Sequence, residues 1–424
     1  MNVFGSSGIR RRVDFGLLEL ALKVGIVLGK SAKSVLLGHD TRTSGEALKF
    51  ALSSGLLASG CSVYEAGIAP TPTIAYACRN FAAGAIITAS HNPPEYNGIK
   101  LVNPDGAAFD SAQRQLMEEK VLRGEFGLLS WDRLGKLQPY PAAIEEHLER
   151  ILQDFPPLKV RVVVDCGCGA GSMITPFLLQ RLGCEVLTMN SHPSGFFPRP
   201  AEPTEENLTD LIKVVRASKA AVGLAHDGDA DRLMAVDDKG RFIPGDKLLI
   251  ILAQSLQAQK VVTTLDASMV LEECGLEVER TKIGDPYVSE ALRRGGDFGA
   301  EPTGCWIFPR VSLCPDGVYA AAFLTWVASE KQLSALVDEI PSYPLLRRSL
   351  PRTSFDPESL LGKLEALSPA SVSKLDGLKL SFSDGWVLLR PSGTEPKVRV
   401  TIEAKTGKRV RELFTQVSKV LQQT

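Results

Sequence analysis

Three short segments of the chain concentrate residue types that can do chemistry. Thr88–Lys100 reads TASHNPPEYNGIK. It follows an apolar run, so Ser90 is expected at the carboxyl end of a strand, where open α/β sheets place ligand sites. His91 and Asn92 add polar contacts, and Pro93-Pro94 takes the chain out of regular structure. A hydroxyl so placed suits a covalent phosphoryl carrier. The plainer reading is a turn serine satisfying local backbone groups.

Ala225–Arg232, AHDGDADR, places Asp227, Asp229 and Asp231 at alternate positions after another apolar run. Oxygen ligands without sulfur suit a hard cation, magnesium or calcium. An EF-hand would need glycine at its sixth position and glutamate at its twelfth, where this chain has Arg232 and Asp238. That loop is excluded. The plainer alternative is a solvated acidic turn, but three carboxylates repel one another without a cation. Leu389–Lys397, LRPSGTEPK, offers Arg390, two hydroxyls (Ser392, Thr394) and exposed backbone N–H groups at Gly393, a reasonable phosphate cradle. Alone, it also reads as a proline-bounded loop between strands.

Weaker signals flank these. Phe4–Arg10 (FGSSGIR) ends in a basic residue, and Gly299–Gly304 (GAEPTG) puts Glu301 and Thr303 in a loop able to meet sugar hydroxyls. Asp165–Ser172, DCGCGAGS, resembles the glycine-rich loop of a nucleotide or S-adenosylmethionine binder. Such sites want an acidic residue after the next strand, where this chain has Asn190. A close-packed strand-to-helix turn is the better reading there.

The elements that must position these residues alternate between strand and helix. Short apolar runs at Ser34–Gly38, Ser62–Ala66 and Ala83–Thr88, separated by helical stretches, predict a parallel sheet covered on both faces. The pattern restarts at Val160–Asp165 and again, after a hairpin turning at Asp238-Lys239-Gly240, from Asp246. The tail differs: a hairpin over Leu378–Arg390, a strand at Lys397–Glu403 and an amphipathic helix over Arg409–Leu421. The expectation is an α/β protein of three similar mixed α/β domains, residues 1–142, 143–240 and 241–342, with a smaller α+β domain at 343–424.

Bulk properties fit such an arrangement. The 424 residues are 44% apolar and 23% charged. Lys plus Arg (48) balances Asp plus Glu (49), so no global field favours nucleic acid or a membrane surface. The start lacks the apolar core of a signal peptide, and no long apolar run predicts a membrane span. The eight cysteines never form C-x-x-C, which argues against a disulfide framework or zinc site and for thiols in a reducing cytoplasm.

Taken together, the segments resemble the α-D-phosphohexomutase superfamily, in order and across the whole chain. FGSSGIR looks like its amino-terminal motif, TASHNP its phosphoserine loop and DGDADR its metal loop. EPTG resembles its sugar loop and RPSGTEPK its phosphate-binding loop, with GHDTR, PSGFFP and PGD agreeing. The resemblance implies four domains around a central cleft. It makes Ser90 a phosphoserine whose phosphate joins Asp227, Asp229 and Asp231 around Mg2+. Arg10, Lys100 and Arg232 would lie near the transferring phosphoryl group. Glu301 and Thr303 would meet the sugar, and Arg390, Ser392, Gly393 and Thr394 would hold the non-reacting phosphate. It further implies a hexose 1,6-bisphosphate intermediate and a monomer or homodimer. Many bacterial members carry a histidine in the sugar loop where this chain has Cys305. The EP-x-G-x-W form resembles archaeal-type members and implies glucosamine phosphate as substrate, with the neutral hexose phosphates as the alternative.

Overall fold

The computed structural model describes residues 3–5, 7–124, 126–351, 355–391 and 397–422. The first domain runs β1 (Ile9–Arg12), α1 (Phe15–Ser31), β2 (Ser34–His39), α2 (Gly45–Ala58), β3 (Ser62–Ile68), α3 (Thr71–Ala77), β4 (Ala83–Ile87), β5 (Tyr96–Val102), α4 (Ser111–Arg123) and β6 (Leu137–Pro139). Its sheet has the order β1-β5-β4-β2-β3-β6. The parallel strands β4, β2 and β3 are those expected and β6 adds a fourth, but β5 turns back antiparallel to β4 and β1 pairs antiparallel with β5. The sheet is therefore mixed rather than parallel throughout. The loop carrying Ser90 is the β4–β5 connection, and Lys100 returns on β5.

The second domain contains α5 (Ala143–Leu152), β7 (Arg161–Asp165), α6 (Thr175–Arg181), β8 (Glu185–Met189), α7 (Thr209–Ser218), β9 (Val222–His226), β10 (Leu233–Val236) and β11 (Phe242–Ile243). Again a parallel trio, β9-β7-β8, carries an antiparallel extension, β10 and β11, closed by the expected hairpin. The third holds α8 (Gly245–Ser255), β12 (Lys260–Thr264), α9 (Val270–Glu273), β13 (Glu277–Thr281), α10 (Asp285–Leu292), β14 (Phe298–Glu301), β15 (Cys305–Ile307), α11 (Gly317–Glu330) and α12 (Leu333–Glu339). Its order is β13-β12-β14-β15, with only β15 antiparallel. The last domain, β16 (Leu345–Pro351), α13 (Pro357–Leu364), β17 (Ser371–Ser373), β18 (Leu378–Phe382), β19 (Gly385–Pro391), β20 (Lys397–Ala404) and α14 (Gly407–Gln422), is a fully antiparallel sheet ordered β16-β20-β19-β18-β17.

Core packing divides the chain differently from its sheets. Helix α11 has no polar face, and Gly317–Thr325 is buried without a break. A helix apolar all round must be enclosed. It lies against α6, β9 and β10 of the preceding domain, so the second and third domains share one continuous core. His147 on α5 ties in the first domain: its ring nitrogens lie 3.0 Å from Thr73 Oγ1 on α3 and 3.0 Å from Asp316 Oδ2, both bonds fully buried. Asp316 also caps α11, accepting from Tyr319 N at 2.8 Å. The last domain keeps its own core between sheet and α13/α14. It joins the third through a small cluster, Leu265 with Trp386 and Leu388, packed by Met269 and Ile283. Lys379 closes that seam, donating to Leu265 O at 2.6 Å with its ammonium 4.4 Å from the Trp386 ring.

Two outcomes follow from this packing. Asp316→Ala removes a helix cap and the buried partner of His147, a loss of about 3 kcal/mol; calorimetry should show the melting midpoint lowered by roughly 5 °C. Burial brings the Lys379 pKa down from 10.5 to about 7, with Arg280 adding to the shift. The folded state then binds fewer protons than the unfolded chain between those values, so stability rises with pH across that window. Melting scans from pH 7 to 10 should show the rise, flattened in Lys379→Met.

Candidate active site

Ser90 stands just past the end of β4 with φ at 51°, the left-handed region that a non-glycine residue occupies only when its surroundings hold it there. Arg42 does the holding. Its guanidinium donates through all five N–H groups: Nε to Asp40 Oδ2 at 3.1 Å, Nη1 to Pro93 O and Tyr96 O at 2.7 and 2.9 Å, Nη2 to Ser90 O and Asn92 O at 2.8 and 2.6 Å. The Phe197 ring covers it at 5.1 Å. Thr88 Oγ1 donates to Asp40 Oδ2 at 2.7 Å and accepts from Ser90 N at 2.8 Å, so both sides of the serine are fixed through one buried carboxylate.

The hydroxyl of Ser90 donates to Asp227 Oδ2 at 2.6 Å and lies 3.2 Å from His91 Nδ1. Asp227, Asp229 and Asp231 follow β9, all buried, each offering an oxygen within 4.8 Å of the others. Gly228 lets this turn approach, since a Cβ there would sit 2.5 Å from Ser90 O. Lys100 Nζ donates to Asp229 Oδ2 at 2.7 Å and to Asp231 Oδ2, and Thr71 Oγ1 also donates to Asp229 Oδ2. Burial opposes the charge on Lys100, but Asp229 and Asp231 raise its pKa overall. Burial alone would raise Asp229 as well; Lys100 and Thr71 hold it below the ordinary carboxylate range. Asp227 is pushed well up, first by burial and then by the charges of Asp231 and Asp229. Asp229 Oδ1 and Asp231 Oδ1 are buried with no hydrogen-bond partner. Buried orphaned acceptors are rare and need an explanation. A hard divalent cation supplies it, and the all-oxygen donor set fits one.

The other expected residues surround this centre unevenly. Arg10, on β1, reaches Asn92 Oδ1 at 3.4 Å, and Arg232 pairs with Glu202 at 3.1 Å. Glu301 ends β14, accepting from Gly284 N at 2.9 Å; burial, reinforced by Asp285, pushes its carboxyl up to about 8. Such a group is largely neutral at pH 7 and can donate to a sugar oxygen as well as accept. Thr303 and Arg390 line a common cavity of about 340 Å³ between the third and last domains. Arg390 pairs with Asp376 at 3.0 Å. Ser392, Gly393 and Thr394 lie outside the described residues. Cys305 is buried beside Arg232, and burial pushes its thiol well up.

The DCGCGAGS loop is filled by its own chain. Asp165 Oδ1 accepts from Gly167 N and Asn190 Nδ2 at 2.9 Å each, Asp165 Oδ2 accepts from Arg199 at 2.7 Å, and Ala170 N donates to Gly228 O at 2.9 Å. It is a brace beneath the aspartate turn. The motif reading attached no roles to Asp40, Arg42, Thr71 and Thr88. The signal for Asp40 and Arg42 is GHDTR, a charge pair two residues apart after a strand; Thr88 opens the TASHNP segment, and Thr71 has no such signal.

Four successive family models cover the chain: phosphoglucomutase/phosphomannomutase alpha/beta/alpha domain I over residues 1–127, domain II over 138–240, domain III over 244–343 and the C-terminal domain over 351–420. The chain belongs to this family. As a phosphohexomutase it is an isomerase acting by intramolecular phosphoryl transfer. A probable phosphoglucosamine mutase of Methanosarcina barkeri is 46% identical over 430 residues, 99% of each chain. Another from Pyrococcus horikoshii is 41% identical over 440 residues, 99% of this chain and 97% of that one. The crystal structure of a phosphoglucomutase/phosphomannomutase family protein from Burkholderia thailandensis superposes with a TM-score of 0.88 at 28% identity, covering 99% of this chain and 97% of its own.

In this phosphohexomutase, Arg42→Lys keeps a charge but has three donors where five are used. Relaxation of the Ser90 loop should lower kcat on the order of 10²-fold, read from steady-state turnover of the variant beside the parent.

Proposed function

We propose that the protein is a phosphoglucosamine mutase that interconverts glucosamine 6-phosphate and glucosamine 1-phosphate through phosphorylated Ser90 and a glucosamine 1,6-bisphosphate. The observation that carries the chemistry is the Ser90 hydroxyl donating to Asp227 at the rim of a buried carboxylate trio with two unsatisfied oxygens. The choice of amino sugar is supported by the relatives named above and by the EPTGCW sugar loop.

Asp227, Asp229, Asp231 and an oxygen of the phosphate on Ser90 would hold Mg2+. When bound, the ion neutralises charge on the phosphoryl oxygens. The protein's own groups do the rest. Arg42 and Thr88 fix the Ser90 oxygen, so the phosphorus on it is met in one geometry. Arg10, Lys100 and Arg232 supply positive charge around the group in flight. Lys100 is already held by two of the carboxylates and so arrives pre-oriented. In the forward half-reaction the bond from phosphorus to Ser90 Oγ breaks and one to the sugar hydroxyl oxygen forms. The one proton lost by the sugar hydroxyl is balanced by the one that Ser90 Oγ takes up, so the half-reaction releases none, and the protonated Ser90 Oγ donates to Asp227 Oδ2. Glu301 and Thr303 meet sugar hydroxyls, and Arg390 with the 392–394 loop holds the phosphate at rest. After the bisphosphate turns end for end, the same groups serve the return transfer.

Phosphorus NMR of purified protein with Mg2+ and a trace of the matching 1,6-bisphosphate tests the reading. Glucosamine 6-phosphate should isomerise fastest, and Ser90→Ala or chelation of the metal should reduce turnover to background. Faster turnover of glucose or mannose 1-phosphate would keep the mechanism and overturn the sugar.

A further inference from the structure

The open face of the last domain's sheet is unusually basic. Val398, Val400 and Ile402 of β20, with Val387 and Leu389 of β19, face the domain's own helices. Alternation then turns Arg399, Thr401, Leu388 and Arg390 to the opposite face. Arg390 lies directly across from Arg399, and on the next strand Arg347 lies across from Thr401. All three arginines line the cavity of about 340 Å³ that faces the Pro302-Thr303 turn of the sugar loop.

Like charges directly opposite on neighbouring strands destabilise a sheet unless something neutralises them. Asp376 answers part of this charge, pairing with Arg390 at 3.0 Å, yet Arg390 Nε remains buried without a partner. Among the described residues, Arg347 and Arg399 pair with no carboxylate. Asp266 is the one acid lining the cavity, and its Oδ1 is taken by Thr264 Oγ1 at 2.7 Å. Three guanidinium groups against two carboxylates, Asp376 and Asp266, leave a net positive site that suits a phosphate group, which arginine binds by paired N–H groups.

We infer that Arg347, on a strand well apart from the 390–397 loop, is a substrate-binding residue that grips the non-transferring phosphate of the hexose phosphate from β16. This rests on the mutase reading above. Because the resting phosphate occupies this end in both half-reactions, Arg347 serves the 6-phosphate and the 1-phosphate alike. It takes no part at the Ser90 end, so it contributes to binding rather than to the transfer step.

Steady-state kinetics on the full-length enzyme in both directions, with melting curves alongside, tests the assignment. Arg347 is exposed, so Arg347→Gln should leave the melting midpoint in place. It should raise KM for both monophosphates about tenfold, equivalent to ~1.4 kcal/mol, with kcat changed less than about threefold. Arg347→Lys should recover part of the loss. Unchanged KM values in Arg347→Gln, beside an active parent, would overturn this inference alone. So would a lower kcat at constant KM, the mark of a group acting at the transferring end. A parent protein that turns over no hexose phosphate would remove the mutase reading and this assignment with it.

Discussion

Three buried carboxylates from one short turn share a single lysine, and the structure is arranged around that imbalance. Lys100 reaches two of the three from a strand in another domain, and two oxygens stay unsatisfied. An uncompensated buried charge is among the most expensive features a fold can carry. It persists here because the surroundings are rigid: the DCGCGAG brace beneath, the Thr71 hydroxyl beside, and the clamped serine loop above. The same imbalance favours a bound cation, through which a phosphoryl group could be held beside the carboxylates.

Rigidity is distributed unequally. The second and third domains share a core, and the first is bolted to both through His147, so the serine, the aspartates and the sugar loop form one body. The last domain meets that body through a small apolar cluster, the Lys379 contact and backbone bonds to its carboxylates, Ile283 N donating to Asp376 and Met269 N to Glu403. The candidate chemical centre thus sits among the domains that share a core, and the last domain joins them through a much smaller apolar cluster.

Much of the site was legible from sequence because its segments carry side chains of distinctive type. Asp227, Asp229 and Asp231 suggest a candidate cation site by type and spacing, and Ser90 stands just past the end of a strand, as its position in the sequence led one to expect. What escaped notice depends on contacts with no local pattern. Arg42 is bound to carbonyl oxygens, which every residue has, so nothing in residues 90–96 advertises its partner. The strand Tyr96–Val102 follows a proline-rich loop and reverses direction, which apolar periodicity does not reveal. Helix α11 has no polar face, so its sequence cannot say which domain's core it fills. The expected parallel sheets became mixed for a related reason: each sheet ends in strands whose connections are short enough for antiparallel return.

The clamp on the serine loop is made to main-chain oxygens alone. Its shape is therefore indifferent to which side chains occupy positions 91 to 96, provided the backbone can follow the same path. His91 and Asn92 are thus released from any structural duty that Arg42 already performs. Over evolutionary time such a loop can exchange the chemistry of its side chains without surrendering the placement of its nucleophile. A single arginine outside the reacting centre confers that freedom.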